Sequence, residues 1–275
     1  MRPTIFAAVL AFCAGTAFAQ TPAAAPNPNA KFGQALMGLN SLNTASMVFT
    51  GSGVASLGAS PGTSASPVTS LTVAINYSLQ AVRIDTARTS KPKRLSRFLS
   101  VDTAWEVKDG GKPTLAPTAA SELQRFLWMT PHGLMRAAQD PDSKRVMANE
   151  AGPDGTPMVS MTLTAGGTKY KAWLNDAAQI VRVHTLPGDP VLGNSVVEFR
   201  FSDYKDSDTS KRPTGPVPGG NAAIYGGIPF PTHIVQTQDG KVMLDITLTE
   251  VHPNAGLYLE VPEAIEKALA KSHSH

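Results

Sequence analysis

The chain contains little cysteine, little charge and few aromatic side chains, and these shortages exclude several classes of protein. Its one cysteine is Cys13, and charged residues make up 16% of its 275 residues. If the N-terminal residues are removed on secretion, the remaining chain has no disulfide, no thiolate nucleophile and no cysteine ligand for a metal. The formal net charge of +3 is too small to indicate binding to nucleic acid. Such a chain depends on an apolar core, for which it is long enough.

The first 19 residues have the pattern of a secretory signal. Arg2 supplies a positive charge, an apolar run covers residues 5–12, and a small-x-small site ends at Ala19. Because the apolar run is too short to span a bilayer, we expect cleavage after Ala19 and a periplasmic or secreted mature chain. A retained anchor helix is the alternative, and acylation of Cys13 is disfavoured because the bulky Phe12 precedes it. No second apolar run of spanning length follows in the sequence, so no transmembrane segment is expected in the mature chain.

Composition divides the rest of the chain into a leader, a domain and a tail. Residues 20–30 are rich in Ala, Pro and Asn and predict a flexible leader. Residues 31–262 are expected to form a single β-rich domain, which a Pro/Gly-rich insertion loop interrupts at residues 207–227. Residues 263–275 predict a terminal helix and a short tail.

Alternating apolar and polar residues predict that most of the domain is β-structure. Along residues 71–88 the apolar side chains share one face: Val73, Ile75, Tyr77 and Leu79. A period of two is typical of a strand with one buried face. The Asp239-Gly240 pair separates two such runs and is a strong signal for a tight hairpin. Adjacent strands joined by tight turns indicate an antiparallel meander.

Two short helices are predicted between residues 121 and 139. Ser121 with Gln124 fits a capping box, Thr130 fits a second N-cap, and Pro131 fits the first position of the second helix. The fold class is therefore α+β, with a large curved antiparallel β-sheet, half-barrel-like, and two or three short helices on its apolar face. A closed barrel is the alternative, since strand lengths do not separate the two.

Three blocks of sequence carry a resemblance to a known family. They are LWMTPHGLMRAA (residues 127–138), YKAWLNDAAQIVRV with DPVLGNSVVEFRFSDYKD (170–206), and FPTHIVQTQDGKVMLDITLTEVHPNA (230–255). In character, order and spacing they resemble the N-terminal domain that precedes the catalytic domain of secreted bacterial metallo-β-lactamase-fold hydrolases. At the level of fold, the strand-rich pattern is also similar to periplasmic lipoprotein-carrier half-barrels.

The resemblance implies an association with that family without its hydrolytic activity. The hydrolase domain is marked by an HxHxDH cluster that binds zinc, and no such cluster occurs in this sequence. A GxSxG nucleophile elbow is also absent from the sequence. We therefore expect no catalytic residue, no bound metal and no cofactor in this chain.

Three residues are candidates for a ligand or partner surface: Trp128, His132 and Trp173. His132 is predicted near a helix N-terminus, where the helix dipole disfavours the charged imidazole and favours a neutral, hydrogen-bonding role. A structural histidine that holds the helix bend against the sheet is the alternative for His132. For both tryptophans the alternative is an ordinary place in the core.

These patterns favour a non-catalytic binding or accessory protein. The predicted sheet carries more apolar side chains than two short helices cover, which favours an apolar small molecule or lipid, or a periplasmic protein, as partner. A local basic run is expected to be a solvated loop instead of a nucleic-acid surface: Lys91, Lys93, Arg94 and Arg97. The alternative function is the non-catalytic half of a split or fused zinc hydrolase, active only with a separate metallo-β-lactamase-fold domain.

Overall fold

The computed structural model describes residues 26–56, 65–188, 193–207 and 227–272. The predicted signal and its cleavage after Ala19, most of the leader, residues 208–226 of the insertion and residues 273–275 of the tail lie outside these ranges.

The described residues form one sheet of thirteen antiparallel strands. In chain order the strands are β1 (Ser46–Ala55), β2 (Ser66–Asn76), β3 (Ala81–Ala87), β4 (Arg94–Ser100), β5 (Thr103–Lys108), β6 (Thr114–Leu115), β7 (Val146–Ala151), β8 (Pro157–Ala165), β9 (Thr168–Leu174), β10 (Ile180–Thr185), β11 (Val197–Asp206), β12 (Pro229–Gln238) and β13 (Lys241–Pro253). The spatial order is β6-β5-β4-β3-β2-β1-β13-β12-β11-β10-β9-β8-β7, so β6 and β7 are its two edges. The predicted α+β half-barrel with an open, curved sheet is confirmed, and the closed barrel is not formed.

The strand order explains why the helices lie on one face of the sheet. The chain builds β1 to β6 as a meander, reaches one edge, and must cross to the opposite edge to begin β7. The crossing contains α2 (Pro117–Met129) and α3 (Pro131–Ala137), which pack on strands from both halves of the sheet. A second meander, β7 to β13, then returns to the centre, where β13 pairs with β1. The two helices therefore cover the core-facing side of the sheet.

Two further α-helices flank the sheet within the described ranges. α1 (Pro28–Gly38) begins at Asn27, whose side chain accepts a hydrogen bond from the Asn29 N–H at 3.0 Å. The helix therefore includes Pro28 to Ala30, at the end of the range that composition predicts as a leader. α4 (Glu263–Ser272) lies beside β6, and its residue Ile265 is buried.

The bend between α2 and α3 lies at Thr130, as predicted, but the caps differ from the prediction. Ser121 is not an N-cap, because Pro117 supplies a preset φ for the first turn and the helix begins there. Thr130 has the extended backbone of a cap residue, with ψ of 150°. Its hydroxyl, however, lies 3.2 Å from the Tyr77 hydroxyl and makes no capping bond to α3.

The apolar face predicted along residues 71–88 lies in the core, with one exception. Val73, Ile75 and Tyr77 are buried, whereas Leu79 is 49% exposed. β2 ends at Asn76, and residues 77–80 turn the chain into β3, so the period of two no longer applies at Leu79. The packing of Phe126 edge-on to Phe199, with ring centroids 5.4 Å apart, joins α2 to the concave face of the sheet.

The predicted basic loop is only partly a loop. Lys91, Lys93 and Arg94 are exposed, but Arg97 lies on β4 with only 7% of its surface exposed. Its guanidinium donates to Glu122 of α2 at 2.7 Å, and its Nε lies 3.8 Å from Glu106. The solvated-loop prediction is thus wrong for Arg97, because α2 covers this part of the sheet and supplies a carboxylate.

Replacing Arg97 by methionine is expected to lower the free energy of unfolding by about 2 kcal/mol. The substitution keeps the apolar stem but leaves the mostly buried carboxylates of Glu106 and Glu122 without their shared cation. The matched control is Arg83→Met, since Arg83 pairs with Asp85 while 46% of its side chain is exposed. Exposed pairs contribute only about 0.5 kcal/mol. Urea denaturation measures both, and equal losses would contradict the assignment of a buried pair to Arg97.

Candidate functional site

The three residues predicted to share a surface are separated in the structure. His132, on α3, is fully buried, with its ring stacked on Phe230 at 5.6 Å between centroids. Its Nε2 donates to the Leu39 carbonyl oxygen at 2.9 Å, which ties α3 to the end of α1. Burial lowers the pKa of His132 to about 4, with the Leu39 hydrogen bond opposing this in part. The imidazole is therefore neutral at pH 7 and is part of the core.

Trp128 lies at the end of α2, half-buried against the turn between β8 and β9. The backbone of Gly166 approaches the indole so closely that a Cβ at this position would lie 2.9 Å from Nε1. Trp128 packs against the main core and so serves to hold the crossing helix against the β8–β9 hairpin.

Trp173 lies on the opposite, outer face of the sheet. Its neighbours on β9, Ala172 and Leu174, point into the main core, and strand alternation turns Trp173 outward. There it stacks on His184 with ring centroids 4.9 Å apart and is 7% exposed. No single surface therefore contains Trp128, His132 and Trp173.

A cleft of about 690 Å³ opens between the start of α1 and the ends of β7, β8 and β9, and we name it the rim cleft. Its floor includes the buried residues Val159 and Leu174, which face each other in the β8–β9 register. The other lining residues are Pro26, Lys31, Asn149, Glu150, Ala151, Gly155, Pro157, Met158 and Asp176. The cleft thus has an apolar floor and polar groups at its mouth.

Two hydrogen bonds hold α1 over the rim cleft. Lys31 Nζ donates to the carbonyl oxygen of Asp176 at 2.6 Å, and Asn149 Nδ2 donates to the carbonyl oxygen of Pro26 at 2.9 Å. These bonds connect the first turn of α1 to the β9–β10 loop and to the edge strand β7. One side of the cleft is therefore formed by the start of α1, which these bonds fasten to the sheet edge while Phe32 and Ala35 anchor the helix in the core.

The carboxylate of Glu150 carries a defined charge at the cleft. Burial by itself raises the pKa of Glu150, but hydrogen bonds from Lys171 and Ser160 and the positive charge of Lys171 outweigh it, so that the pKa is lowered. Lys171 Nζ lies 2.7 Å from Glu150 Oε1. Glu150 is therefore ionised at pH 7, and its charge is balanced by Lys171.

A hydrogen-bonded Ser–His–Asp chain lies on the outer face of β11 to β13. His233 Nδ1 is 3.2 Å from Ser202 Oγ, and His233 Nε2 is 2.8 Å from Asp245 Oδ1. The His233 and Asp245 side chains are 36% and 47% exposed. Ser202 lies opposite His233 in the pairing of β11 with β12. Ser202 lies on an open sheet face where the described residues enclose no donors for an oxyanion, so we assign no hydrolytic step to the Ser202–His233–Asp245 group.

The described residues offer no basis for a metal centre. Within these ranges no group of three or more His, Cys, Asp or Glu side chains is placed to hold a metal ion. Among the same residues, no helix has the length and apolar character needed to cross a bilayer.

Sequence reasoning did not identify the rim cleft or the Ser202 chain. Both depend on which strands are neighbours and on where α1 crosses the sheet edge. The pairing of Ser202 with His233 follows from the β11–β12 register, yet that register depends on where the chain resumes after residues 208–226. Knowledge of the β11–β12 register across that insertion would have placed Ser202 beside His233.

Comparison with solved structures bears on the fold. A DUF1329 family protein from Desulfovibrio piger superimposes with a TM-score of 0.50 at 10% identity, covering 85% of this chain and 96% of that one. A LolA superfamily protein from Nitrosomonas europaea gives a TM-score of 0.44 at 12% identity, covering 88% and 97%. No protein-family model and no curated protein matches the chain. The likeness to the Desulfovibrio piger protein concerns the fold alone, and the link to metallo-β-lactamase-fold hydrolases stays a prediction.

Proposed function

We propose that this chain is a periplasmic or secreted, non-catalytic binding protein that holds an amphiphilic ligand in the rim cleft. The ligand class is an apolar small molecule or a lipid that carries a polar group. The observation that carries the proposal is the combination of a floor formed by Val159 and Leu174 with a mouth formed by Lys31 and Asn149. Such a site takes an apolar chain inward and leaves a polar group in water.

The size of the rim cleft suits this role. Its volume of about 690 Å³ lies in the range typical of small-molecule sites, roughly 300–1,000 Å³. Each methylene removed from water contributes about 0.8 kcal/mol. A ligand with several buried methylenes is therefore retained without any covalent bond or metal. The proposed location rests on the N-terminal signal pattern that ends at Ala19.

To test this proposal, a bulky side chain is introduced into the rim cleft and binding of an apolar probe is measured. Ala151 is an exposed cleft residue at the end of β7, and Ala151→Trp puts an indole into the space that the ligand needs. We expect the wild-type chain to bind N-phenylnaphthylamine with a rise in fluorescence, and Ala151→Trp to weaken this binding at least about tenfold. Native mass spectrometry of the chain purified from a periplasmic extract is expected to show a bound amphiphile.

Ala264→Trp is the matched control, since Ala264 is an exposed alanine on α4, outside the cleft lining. It is expected to bind the dye as the wild type does. The proposal fails if the wild type neither binds the dye nor carries an amphiphile. It also fails if both tryptophan variants lose the same share of binding.

An accessory role beside a separate metallo-β-lactamase-fold domain is the second proposal. It rests on the three sequence blocks within residues 127–138, 170–206 and 230–255. The expected result is zinc-dependent hydrolysis that appears only when a hydrolase domain encoded next to this chain is mixed with it. Equal activity of that domain with and without this chain would contradict the proposal.

A further inference from the structure

A second cleft lies on the outer face of the sheet, away from the helices. Side chains from β9, β10 and β11 form two rows across the strands there. Residues opposite each other in the ladder place Trp173, Arg182 and Arg200 in one row, and Lys171, His184 and Glu198 in the next. Neighbours across strands on one face are close enough for direct contact. Two arginines therefore stand side by side with a carboxylate next to them.

Glu198 fixes the two arginines. Its side chain is 9% exposed, and its two oxygens accept from different partners. Arg182 Nε donates to Oε2 at 2.7 Å, with Arg182 Nη2 bonded to the same oxygen, and Arg200 Nε donates to Oε1 at 2.6 Å. One carboxylate thus serves two guanidinium groups, so the trio has an excess of one positive charge.

Among the neighbouring groups, Lys171 and His184 leave this charge unchanged, whereas Asp154, whose pKa the hydrogen bonds of Thr156 and the charge of Arg182 lower, is ionised and offsets it. Lys171 is paired with Glu150. Burial lowers the pKa of His184. The negative charge of Glu198 raises this pKa, and the positive charges of Arg182 and Lys171 lower it. The net shift is downward, so the imidazole is neutral at pH 7. The positive charge next to Trp173 therefore belongs to the arginines.

The geometry leaves one edge of a guanidinium for a ligand. Arginine carries five N–H donors in two forks, and Glu198 takes the Nε side of Arg200. The Arg200 side chain is 60% exposed. Its Nη1–Nη2 fork matches the two oxygens of a carboxylate or phosphate. Arg182 is held more firmly, with its Cζ 5.6 Å from the centre of the Trp173 ring.

Both arginines line a cleft of about 370 Å³ that we name the outer cleft. Its apolar walls include Pro153, Met158 and Val181. One acidic residue, Asp154, lines it as well, and its carboxylate accepts from the hydroxyl of Thr156 at 2.7 Å and from the Thr156 N–H at 3.2 Å. The outer cleft thus joins a fixed pair of cations to an apolar wall.

We propose that the outer cleft binds a small oxyanion ligand, a carboxylate or phosphate group carried on an apolar moiety. Arg200 receives the anion on its free fork, Arg182 adds charge from the second position, and Met158 and Val181 contact the apolar part. Glu198 is a positioning residue that keeps the two guanidinium groups together. The outer cleft shares Met158 with the rim cleft, but its arginines lie outside the rim-cleft lining, and the proposal does not depend on the function proposed for the rim cleft.

Isothermal titration at pH 7 with four probes tests this site: benzoate, phenyl phosphate, inorganic phosphate and the neutral benzyl alcohol. We expect benzoate and phenyl phosphate to bind, inorganic phosphate to bind more weakly, and benzyl alcohol to give no heat. Arg200→Gln is expected to weaken benzoate binding about tenfold, the loss typical of one charge-assisted contact. Vesicles with and without an anionic phospholipid then separate a membrane headgroup from a free oxyanion as the natural source.

Arg83→Gln is the matched control, since Arg83 is also an outward arginine with its Nε on a carboxylate, Asp85, at 2.7 Å. It is expected to leave benzoate binding unchanged. The proposal is overturned if neither anion binds at about 10 mM, if benzyl alcohol binds as well as benzoate, or if Arg200→Gln and Arg83→Gln have equal effects. Thermal melting of each variant verifies that it is folded.

Discussion

Replacing Gly133 by alanine is expected to lower the free energy of unfolding by more than about 4 kcal/mol, or to prevent folding altogether. Gly133 lies in α3, three residues after the bend at Thr130. A Cβ at this position would lie 1.8 Å from the carbonyl oxygen of Leu127 and 3.0 Å from Thr130 Oγ1. The carbonyl group of Leu127 cannot move away unless the last turn of α2 moves with it. The clash therefore forces α2 and α3 apart at their junction, the α2–α3 corner. Urea denaturation followed by circular dichroism measures the loss.

Gly33→Ala is the control for the glycine-to-alanine change itself. Gly33 also lies inside a helix, α1, and a Cβ there would meet no atom within 4 Å. Alanine removes the backbone entropy cost of glycine, so we expect Gly33→Ala to raise stability by about 0.5–1 kcal/mol. A Gly133→Ala protein within about 1 kcal/mol of the wild type would show that the corner is not as tight as described.

The second large effect is a fall in the free energy of unfolding at acidic pH, which we attribute to protonation of His132. The unfolded chain binds a proton on this residue near its ordinary pKa of 6.5, whereas the folded chain binds it only near a pKa of about 4. Burial is the main cause of the lowered pKa, because a charged imidazole packed against Phe230 would lose its hydration. The contribution is therefore fully present above pH 6.5, declines below it, and is lost by about pH 4. The size of the effect is roughly 3 kcal/mol.

His132→Gln separates this effect from other acid-sensitive groups. The amide nitrogen of glutamine can still donate toward the Leu39 carbonyl oxygen but does not titrate. The fold also lowers the pKa of Glu150 and Asp239, and that contribution is equal in both proteins and cancels in the comparison. We expect the wild type to be the more stable protein at pH 7 and to lose that advantage between pH 6.5 and 4. Parallel stability curves for the two proteins over this range would contradict the assignment.

Both effects concern the same short segment, which explains why α3 matters to the fold. α3 contacts the end of α1 through His132 and Leu39, α2 through Gly133, and the sheet through the stacking of His132 on Phe230. Because α1 also forms one side of the rim cleft, damage at α3 is expected to reach that cleft through α1. Binding in the rim cleft is thus best tested with variants outside this corner.

Local patterns were sufficient for many of the strand faces and for a tight turn. The Asp239-Gly240 pair forms the tight turn between β12 and β13, with φ values of 50° and 79° that suit this dipeptide. Leu244 and Ile246 are buried as their alternation predicts. These features depend on neighbours within a few residues along the chain, which is why the sequence predicts them.

Local patterns failed where a residue's environment comes from far along the chain. Arg97 looks like part of an exposed basic run, yet Glu122 on α2, 25 residues later, covers and neutralises it. Ser121 fits a capping box, yet Pro117 starts the helix one turn earlier. In both cases a competing contact that the local pattern does not contain decided the outcome.

The fold class follows from the sequence, because hydrophobic alternation and turn residues act over short distances. The candidate sites depend on contacts between residues that are distant in the chain. The crossing helices buried His132, strand alternation sent Trp173 to the outer face, and pairing of β9, β10 and β11 brought Arg182 and Arg200 together. Which distant residues become neighbours depends on strand order and register, and these are set by the packing of the whole chain.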